Sequence, residues 1–335
     1  MSVTFDLTTI WACIIAFAVF AYVAMDGFDL GIGILFPALR VGEGRNRAMN
    51  SIAPVWDGNE TWLVMGGGGL LAAFPLDYAV ILPATYPLVI AMLLGLVFRG
   101  VAFEFRHRDA RHRALWDIGF FAGSLTAALS QGMILGAILQ GIDVSGRAYA
   151  GSWWDWLTPY TLLTGLGVVA GYALLGACWL IWKLEGEVQD KAYRLAFAAG
   201  IATLALMAAV SAYNLVLLPE YRDRWLAMPN VLFASQVPLL TVILAGFLFH
   251  GLRKRWELAP FVLALGLFLL GMAGLGVTIW PYIVPDSLTI WDTAAPARSQ
   301  SFMLVGAVFI LPLILAYTAW SYWVFRGKVG AEGYH

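Results

Sequence analysis

The chain has 335 residues, of which 61% are hydrophobic and 12% are charged, and its formal net charge is -1. Soluble domains carry about 25% charged residues, so this composition excludes an ordinary soluble protein and favours a membrane protein. No basic surface with interleaved aromatic residues is present, which excludes a nucleic-acid partner. The two cysteines, Cys13 and Cys178, lie in apolar segments without the spacing of a disulfide framework or a redox pair.

Long apolar runs recur along the whole sequence. A membrane-spanning helix needs about 20 mostly apolar residues. On that rule the sequence predicts an all-α polytopic membrane protein, with one transmembrane domain over residues 1–335 and nine spans. The predicted spans cover approximately residues 9–38, 54–75, 77–99, 117–139, 160–182, 195–217, 228–250, 259–281 and 302–325.

Loops that are rich in basic residues alternate along the chain with loops that contain few of them. With the N-terminus outside, 16 of the 20 lysines and arginines fall on the cytoplasmic side. Cytoplasmic loops of membrane proteins are enriched in lysine and arginine. The alternation therefore predicts an external N-terminus and a cytoplasmic C-terminus.

Four acidic residues lie in or beside the first two predicted spans. Asp26 and Asp29 are three residues apart and share a helix face, about 18 Å and about 13 Å from the cytoplasmic end of their span. Asp57 and Glu60 have the same spacing at the start of the second span. Acids at membrane depth mark functional sites, and chains of them build proton relays, so these four residues predict a proton pathway from the cytoplasm.

A plainer interpretation of the same acids stays open. Asp57 is at a position where it caps the second helix, and Asp26 is placed to hydrogen-bond a neighbouring helix. Glu60 is close enough to the interface to be simply solvated. These alternatives assign the acids a structural role.

Arg99 and Glu104 lie where the third predicted span ends at the cytoplasmic face. One interpretation is a charge pair that stabilises this helix end. The other is that Arg99 tunes the acids of the second span, which makes Arg99 and Glu104 a candidate tuning pair.

The run from Gly66 to Gly69 lies inside an apolar span, with no preceding strand and no following lysine. A phosphate-binding loop needs both of these features. Small residues allow membrane helices to pack closely. The glycine run therefore predicts close helix packing.

The four histidines are His107, His112, His250 and His335, and none lies near the middle of a predicted span. Haem in a membrane bundle is usually held by histidine or methionine within the bundle. The sequence therefore predicts that this chain binds no haem or metal and holds no catalytic residue of its own.

Five long motifs resemble one known family, subunit II of the cytochrome bd-type quinol oxidases. The resemblance covers essentially the whole chain, and the short loops are most similar to the compact, cyanide-insensitive branch. The motifs are DGFDLGIG (Asp26–Gly33), NSIAPVWDGNETWL (Asn50–Leu63), FRGVAFEFR (Phe98–Arg106), IWPYIVPDSLTIWD (Ile279–Asp292) and AYTAWSYWVFRGK (Ala316–Lys328).

The resemblance implies a terminal oxidase of a bacterial inner membrane. Such a complex oxidises quinol at the external face, reduces dioxygen to water and takes the protons for water from the cytoplasm. The resemblance places haems b and d in subunit I and makes this chain its haem-free partner. It also implies two four-helix bundles plus one peripheral helix, which agrees with nine spans.

The resemblance also bears on the acidic residues and the partners. Asp26 and Asp57 match acids associated with a proton route in the family, and Asp29 lies in the same motif, whereas Glu60 is glutamine in some relatives. Small accessory subunits, and a structural quinone or lipid within this chain, are compatible with the family and are not decided by the sequence.

Two other functions also account for acids within membrane spans. A proton-coupled secondary transporter also places acids at depth, but predicts broken helices in matching halves and a polar site at mid-membrane. The acids of this sequence lie mainly in the first two spans, with no matching second set. A purely structural scaffold for subunit I predicts that acid substitutions change the yield of the complex and leave the rate per haem unchanged.

Overall fold

The computed structural model describes residues 6–329, which fold mainly into helices, as predicted. The α-helices are α1 (Leu7–Leu35), α2 (Glu43–Asn50), α3 (Trp56–Ala73), α4 (Pro75–Arg108), α5 (Arg113–Leu139), α6 (Pro159–Lys183), α7 (Glu187–Leu217), α8 (Pro219–Leu226), α9 (Asn230–Ala234), α10 (Gln236–Arg253), α11 (Ala259–Ile279) and α12 (Ala297–Val324). A short 3₁₀ helix, Phe36–Ala38, follows α1. Both cysteines are free thiols, in agreement with the sequence analysis.

Two small antiparallel hairpins lie in the loops that the topology places outside the membrane. One pairs β1 (Val144–Ser145) with β2 (Ala148–Tyr149). The other pairs β3 (Tyr282–Val284) with β4 (Leu288–Thr289). The fold remains essentially all-α.

Within residues 6–329, eight helical stretches are long and apolar enough to cross a membrane. They agree with eight of the nine predicted spans. The other predicted span is α3, which has 18 residues and is therefore about 27 Å long. Asp57, Asn59 and Glu60 lower the hydropathy of α3, so its crossing of the membrane stays a prediction, as does the division into two four-helix bundles.

Glycines bring the central helices into backbone contact. A Cβ added at Gly31 of α1 would lie 1.8 Å from the carbonyl oxygen of Tyr172, and one added at Gly176 of α6 would lie 2.5 Å from the carbonyl carbon of Gly31. Between α4 and α5, a Cβ at Gly123 would lie 2.9 Å from the backbone nitrogen of Arg99. These contacts fix α1 against α6 and hold the backbone of Arg99 against α5.

The glycine run in α3 serves two surfaces. Gly66 and Gly69 face α1, where an added Cβ would lie 3.4 Å and 3.2 Å from side chains of that helix. Within residues 6–329, an added Cβ at Gly67 or Gly68 would have no atom within 4 Å apart from the adjacent backbone of α3. The prediction of close packing is therefore confirmed for two of the glycines, and the other two leave the outward side of α3 flat.

A buried ionic network ties α2 to the end of α4 and the start of α5. Arg45 lies 2.6 Å from one carboxylate oxygen of Asp117, and Arg106 donates to the other. Arg106 also donates to Asn46 at 2.6 Å. The guanidinium carbons of Arg45 and Arg106 lie 5.3 Å and 5.4 Å from the ring centre of Phe36. The loop between the first two predicted spans is thus anchored by charge.

The segment after α12 is bound to the end of α6. The ammonium of Lys183 is buried, donates to the carbonyl oxygen of Phe325 at 2.6 Å and lies 4.5 Å from the ring centre of Trp182. The backbone nitrogen of Val329 donates to the carbonyl oxygen of Lys183 at 2.9 Å. The last helix is therefore fastened at this end, although none of the residues in its most apolar stretch is buried.

At the opposite end of the membrane helices, the turn between α3 and α4 contacts the loop before α12. The buried carboxylate of Asp77 accepts a hydrogen bond from Thr293. The backbone nitrogen of Ala295 donates to the carbonyl oxygen of Ala73 at 2.8 Å. These bonds connect the second and last predicted spans.

Candidate functional site

The site is centred on two carboxyl groups of α1. Asp26 and Asp29 are both 0% exposed, and their spacing of three residues places them on one side of the helix. The glycine contacts described above allow α6 to approach the opposite side. The remaining groups of the site come from α3, α4 and α12.

Arg99 of α4 joins α1 to α3. Its Nη1 lies 2.6 Å from Oδ1 of Asp26, and its Nη2 lies 2.6 Å from Oε1 of Glu60. The Arg99 side chain is 2% exposed, and its guanidinium carbon lies 5.8 Å from the ring centre of Trp56. Because a buried guanidinium needs counter-ions, this residue fixes both carboxylates in place.

Asp29 accepts a hydrogen bond from an amide and, among the described residues, forms no salt bridge with the guanidinium. Nδ2 of Asn59 donates to Oδ2 of Asp29 at 2.8 Å, and the hydroxyl of Tyr322 donates to Oδ1 of Asn59 at 2.9 Å. The other carboxylate oxygen of Asp29 is buried and has no hydrogen-bond partner within residues 6–329. The hydroxyl of Tyr322, on the last helix, is thus part of the site.

The site contains three carboxyl groups, those of Asp26, Asp29 and Glu60, and one guanidinium, which pairs with two of them. A buried carboxylate without a counter-ion is strongly disfavoured. A cluster with more acids than bases can therefore gain or lose a proton while the ion pairs of its arginine stay intact. This is the chemical property required of a proton-exchanging site.

Asp57 lies outside the buried cluster. Its side chain is exposed and makes no capping bond to α3. Glu60, three residues along the same helix, has a side chain that is 28% exposed. Asp57 and Glu60 therefore lead from the surface to the buried acids, at the end of the helices that the topology predicts to be cytoplasmic.

Glu104 is not part of the site, so the suggested pair of Arg99 with Glu104 is wrong. Its carboxylate lies 4.0 Å from Arg108, and both side chains are more than half exposed. Residues five apart on a helix point in different directions, whereas Arg99 points back toward α1 and α3. The second interpretation of Arg99, as a partner of an acid in the second predicted span, agrees with its contact to Glu60.

Asn59 and Tyr322 are part of the site but were not predicted from the sequence. Asn59 stands between the two acids of α3, so its position was a usable signal. Tyr322 is separated from Asn59 by 263 residues, and nothing in its local sequence distinguishes it from an interfacial aromatic residue.

Within residues 6–329, no group of three or more histidine, cysteine, aspartate or glutamate side chains has the arrangement of a metal site. Of the histidines described, His107 and His250 lie in the last turns of α4 and α10, and His112 directly precedes α5. His335 lies outside the described residues. That haem is held only by a partner stays a prediction.

The sequence model of the cytochrome bd terminal oxidase subunit II family matches residues 7–325 of this chain. The chain belongs to this family. The match runs from the first residue of α1 to the end of α12, so it includes the whole site described above.

Curated relatives support the membership along their whole lengths. The chain is 30% identical to cytochrome bd-I ubiquinol oxidase subunit 2 of Escherichia coli K12, over 97% of this chain and 96% of the relative. It is 27% identical to cytochrome bd ubiquinol oxidase subunit 2 of Bacillus subtilis, over 97% of each. The resemblance inferred from the motifs is confirmed.

A solved structure shares the fold. A chain of the bd oxidase from Geobacillus thermodenitrificans matches with a TM-score of 0.77 and 17% sequence identity, covering 96% of this chain and 99% of that one. Together with the eight apolar helices, the bacterial relatives confirm a multi-pass protein of the inner membrane. As subunit II of a terminal oxidase, the chain is part of an oxidoreductase complex, and the transporter alternative is set aside.

Proposed function

We propose that this chain is the haem-free accessory subunit of a quinol:oxygen oxidoreductase and that its acid cluster delivers protons from the cytoplasm toward the haem-bearing subunit I. The observation that carries the proposal is the ratio of three carboxyl groups to one buried arginine, with Asp57 and Glu60 forming the entrance. Oxygen reduction to water consumes protons, and buried acids in membranes commonly serve as relays.

Subunit I binds to the outward face of α3 and α12 in this proposal. Gly67 and Gly68 leave α3 open to close approach, and large apolar side chains of α12 such as Phe302, Phe309 and Leu313 are exposed. Membrane helices associate through close packing of small residues and apolar surfaces. Because Asp57 is also exposed on α3, the same face carries the entrance of the acid cluster.

The residues of this chain have simple roles in the proposal. Asp57 and Glu60 accept protons near the surface, and Asp29 and Asp26 receive them further in. Arg99 stabilises the ionised carboxylates and keeps the cluster together. The haems expected in subunit I would supply the oxygen chemistry and belong to that partner.

The test uses the whole complex with Asp29→Asn, Glu60→Gln and Asp57→Asn, each compared with Asp77→Asn. Asp77 is a matched control because it is also a buried acid, but it lies at the opposite end of α4. We expect the site variants to keep their haem and to lower quinol-driven oxygen uptake per haem about tenfold or more, the size of effect expected for a lost proton-transfer group.

The scaffold function is the second candidate, favoured by the number of ion pairs and glycine contacts that hold these helices together. It predicts less assembled complex and an unchanged rate per haem in all the variants. Normal uptake per haem and normal charge separation in proteoliposomes of Asp29→Asn, Glu60→Gln and Asp57→Asn would contradict proton delivery.

A further inference from the structure

One asparagine side chain joins the acid cluster to the last helix. Asn59 is 1% exposed, and its Nδ2 donates to Oδ2 of Asp29 at 2.8 Å and to the backbone oxygen of Met25 at 3.4 Å. On the other side of the amide, Oδ1 accepts from the hydroxyl of Tyr322 at 2.9 Å. Because a backbone oxygen can only accept, the nitrogen of this amide belongs on the side of α1 and its oxygen on the side of α12.

The orientation of this amide bears on the proton of Asp29. In the structure Asn59 offers an N–H, which stabilises an ionised carboxylate. Without the Tyr322 hydroxyl, the amide oxygen would be a buried acceptor that has lost its donor, which is unfavourable. Turning the amide would then place this oxygen beside Asp29, where it accepts the proton of the neutral carboxyl. A turned amide would therefore retain the proton that Asp29 has to release.

The end of α12 that carries Tyr322 is fastened by Lys183 of α6. The ammonium of Lys183 donates to the carbonyl oxygen of Phe325, three residues after Tyr322, and lies 5.0 Å from the ring centre of Trp179. The Tyr322 ring meets the same tryptophan edge-on, with ring centres 6.2 Å apart. Lys183 and Tyr322 also line one small pocket together with Trp179, Phe325 and Val329. Because the most apolar stretch of α12 buries none of its residues, the position of Tyr322 depends strongly on these contacts.

We propose that Tyr322 is a positioning residue for proton exchange at Asp29, and that the binding of the segment after α12 to Lys183 holds Tyr322 in place. This inference rests on the proposed function and refines it. Asp29 takes a proton from the cytoplasmic side and releases the same proton to the next acceptor. Tyr322 does not carry the proton, because the amide of Asn59 cannot relay it without tautomerising. Its hydroxyl acts by keeping the amide N–H directed at Asp29.

The main test is quinol-driven oxygen uptake per haem in the complete complex with Tyr322→Phe. This substitution keeps the ring against Trp179 and removes the hydroxyl. We expect a normal haem content and uptake lowered about fivefold, the size of effect expected for one lost hydrogen bond. Tyr213→Phe is the matched control, because Tyr213 of α7 also packs against an aromatic ring, that of Tyr160 at 5.0 Å, but lies outside the site. It should keep the wild-type uptake.

A second variant, Lys183→Met, leaves the side chains of the site unchanged and acts through the segment after α12. We expect uptake per haem to fall about twofold or more, because a loosened helix end weakens the Tyr322 hydrogen bond. The double variant Tyr322→Phe with Lys183→Met should be no slower than Tyr322→Phe alone, since both changes act on the same bond. Lys191→Met, on α7, is the control. Should the Tyr322→Phe complex fail to assemble, Lys183→Met decides.

Infrared difference spectra between the oxidised and reduced complex provide a signature that a merely structural role would not change. We expect a signal from a protonated carboxyl group that Asp29→Asn removes. In Tyr322→Phe this signal is expected to remain but to be displaced, because the carboxyl group gains an amide oxygen as its acceptor. Tyr213→Phe should leave the signal where it is in the wild type.

The outcomes separate the two proposals. Wild-type uptake per haem or an undisplaced infrared signal in assembled Tyr322→Phe would overturn the positioning role, and reduced uptake in Asp29→Asn would then leave proton delivery standing. Wild-type uptake in Lys183→Met, with its C-terminal segment shown by proteolysis to be released, would overturn the part assigned to Lys183. Normal uptake in Asp29→Asn, Glu60→Gln and Asp57→Asn would remove the proposed function itself.

Discussion

The guanidinium of Arg99 and the carboxylate of Asp26 form a salt bridge of 2.6 Å in which neither side chain is more than 2% exposed. Removing one partner of a buried ion pair typically costs about 3–5 kcal/mol, because the other charge is left uncompensated. Arg99→Gln is therefore expected to lower the thermal stability and haem content of the complex.

Arg40→Gln is the control for Arg99→Gln. Arg40 pairs with Glu187 at 2.9 Å, but both side chains are largely exposed. Exposed ion pairs contribute about 0–1 kcal/mol, so this variant should assemble normally. Equal losses in the two variants, measured by haem content and thermal unfolding, would contradict the central role of Arg99.

The glycines of α1 and α3 allow fold and partner binding to be tested separately. Gly31→Ala places a methyl group 1.8 Å from a backbone oxygen of α6 and should prevent the helices from packing, with a loss of about 3 kcal/mol or more. The methyl group of Gly67→Ala meets no atom within 4 Å in the described part of this chain, apart from the adjacent backbone of α3. We expect it to leave the subunit folded and to weaken its association with subunit I.

Co-purification of subunit I, together with detergent stability of the isolated chain, checks this pair of variants. A Gly67→Ala chain that binds subunit I as tightly as the wild type would show that the outward face of α3 is not the docking surface. Gly68→Ala serves as a second variant on that face, since it too lies in open space.

Asp117→Asn should loosen the loop between α1 and α3. Its carboxylate is shared by Arg45 and Arg106, and neutralising it leaves two partly or fully buried arginines without a counter-ion. The expected result is faster proteolysis of the segment around α2 and a lower unfolding temperature. Asp109→Asn, at a partly exposed position just before α5, provides the comparison.

Lys183→Met should release the segment that follows α12. The substitution keeps the length of the side chain and removes the donor to the carbonyl oxygen of Phe325, a loss of about 1–3 kcal/mol for a hydrogen bond to a charged group. Limited proteolysis near the C-terminus measures the release. Lys191→Met, on the neighbouring helix α7, should have no such effect.

The binding of the segment after α12 is also expected to depend on pH, because Glu257 takes part in it. Its hydrogen bonds with Lys328 and Gln189 hold the pKa of this carboxyl below its ordinary value. A lowered pKa stabilises the docked state above the usual value of about 4.3, and this contribution is lost as the pH falls through the lowered pKa. Glu257→Gln should abolish the acid sensitivity of C-terminal proteolysis.

The sequence predicted the helices well because apolar length is a local property. It also located Asp26 and Asp29, since charges inside apolar runs are visible without any structure. The hydropathy of α3 illustrates the limit of this approach. The same polar residues that mark the site make its helix resemble a membrane span less than the other eight do.

The partners of the acids were less predictable because they depend on tertiary contacts. One of the two interpretations of Arg99 paired it with Glu104, its neighbour in sequence, whereas it binds Asp26, which is 73 residues away. Asn59, which binds Asp29, and Tyr322, which binds Asn59, are separated by 263 residues. The residue pattern within one helix does not specify which side chains of another helix its own side chains will contact.

The binding of Lys183 to the end of the chain has a consequence for biogenesis. Lys183 is synthesised 142 residues before Phe325, the residue that accepts its hydrogen bond. Its charge therefore lacks this partner while the helices between them are made and inserted. A chain truncated before Phe325 would leave the ammonium of Lys183 without this acceptor even when all the helices between them are in place.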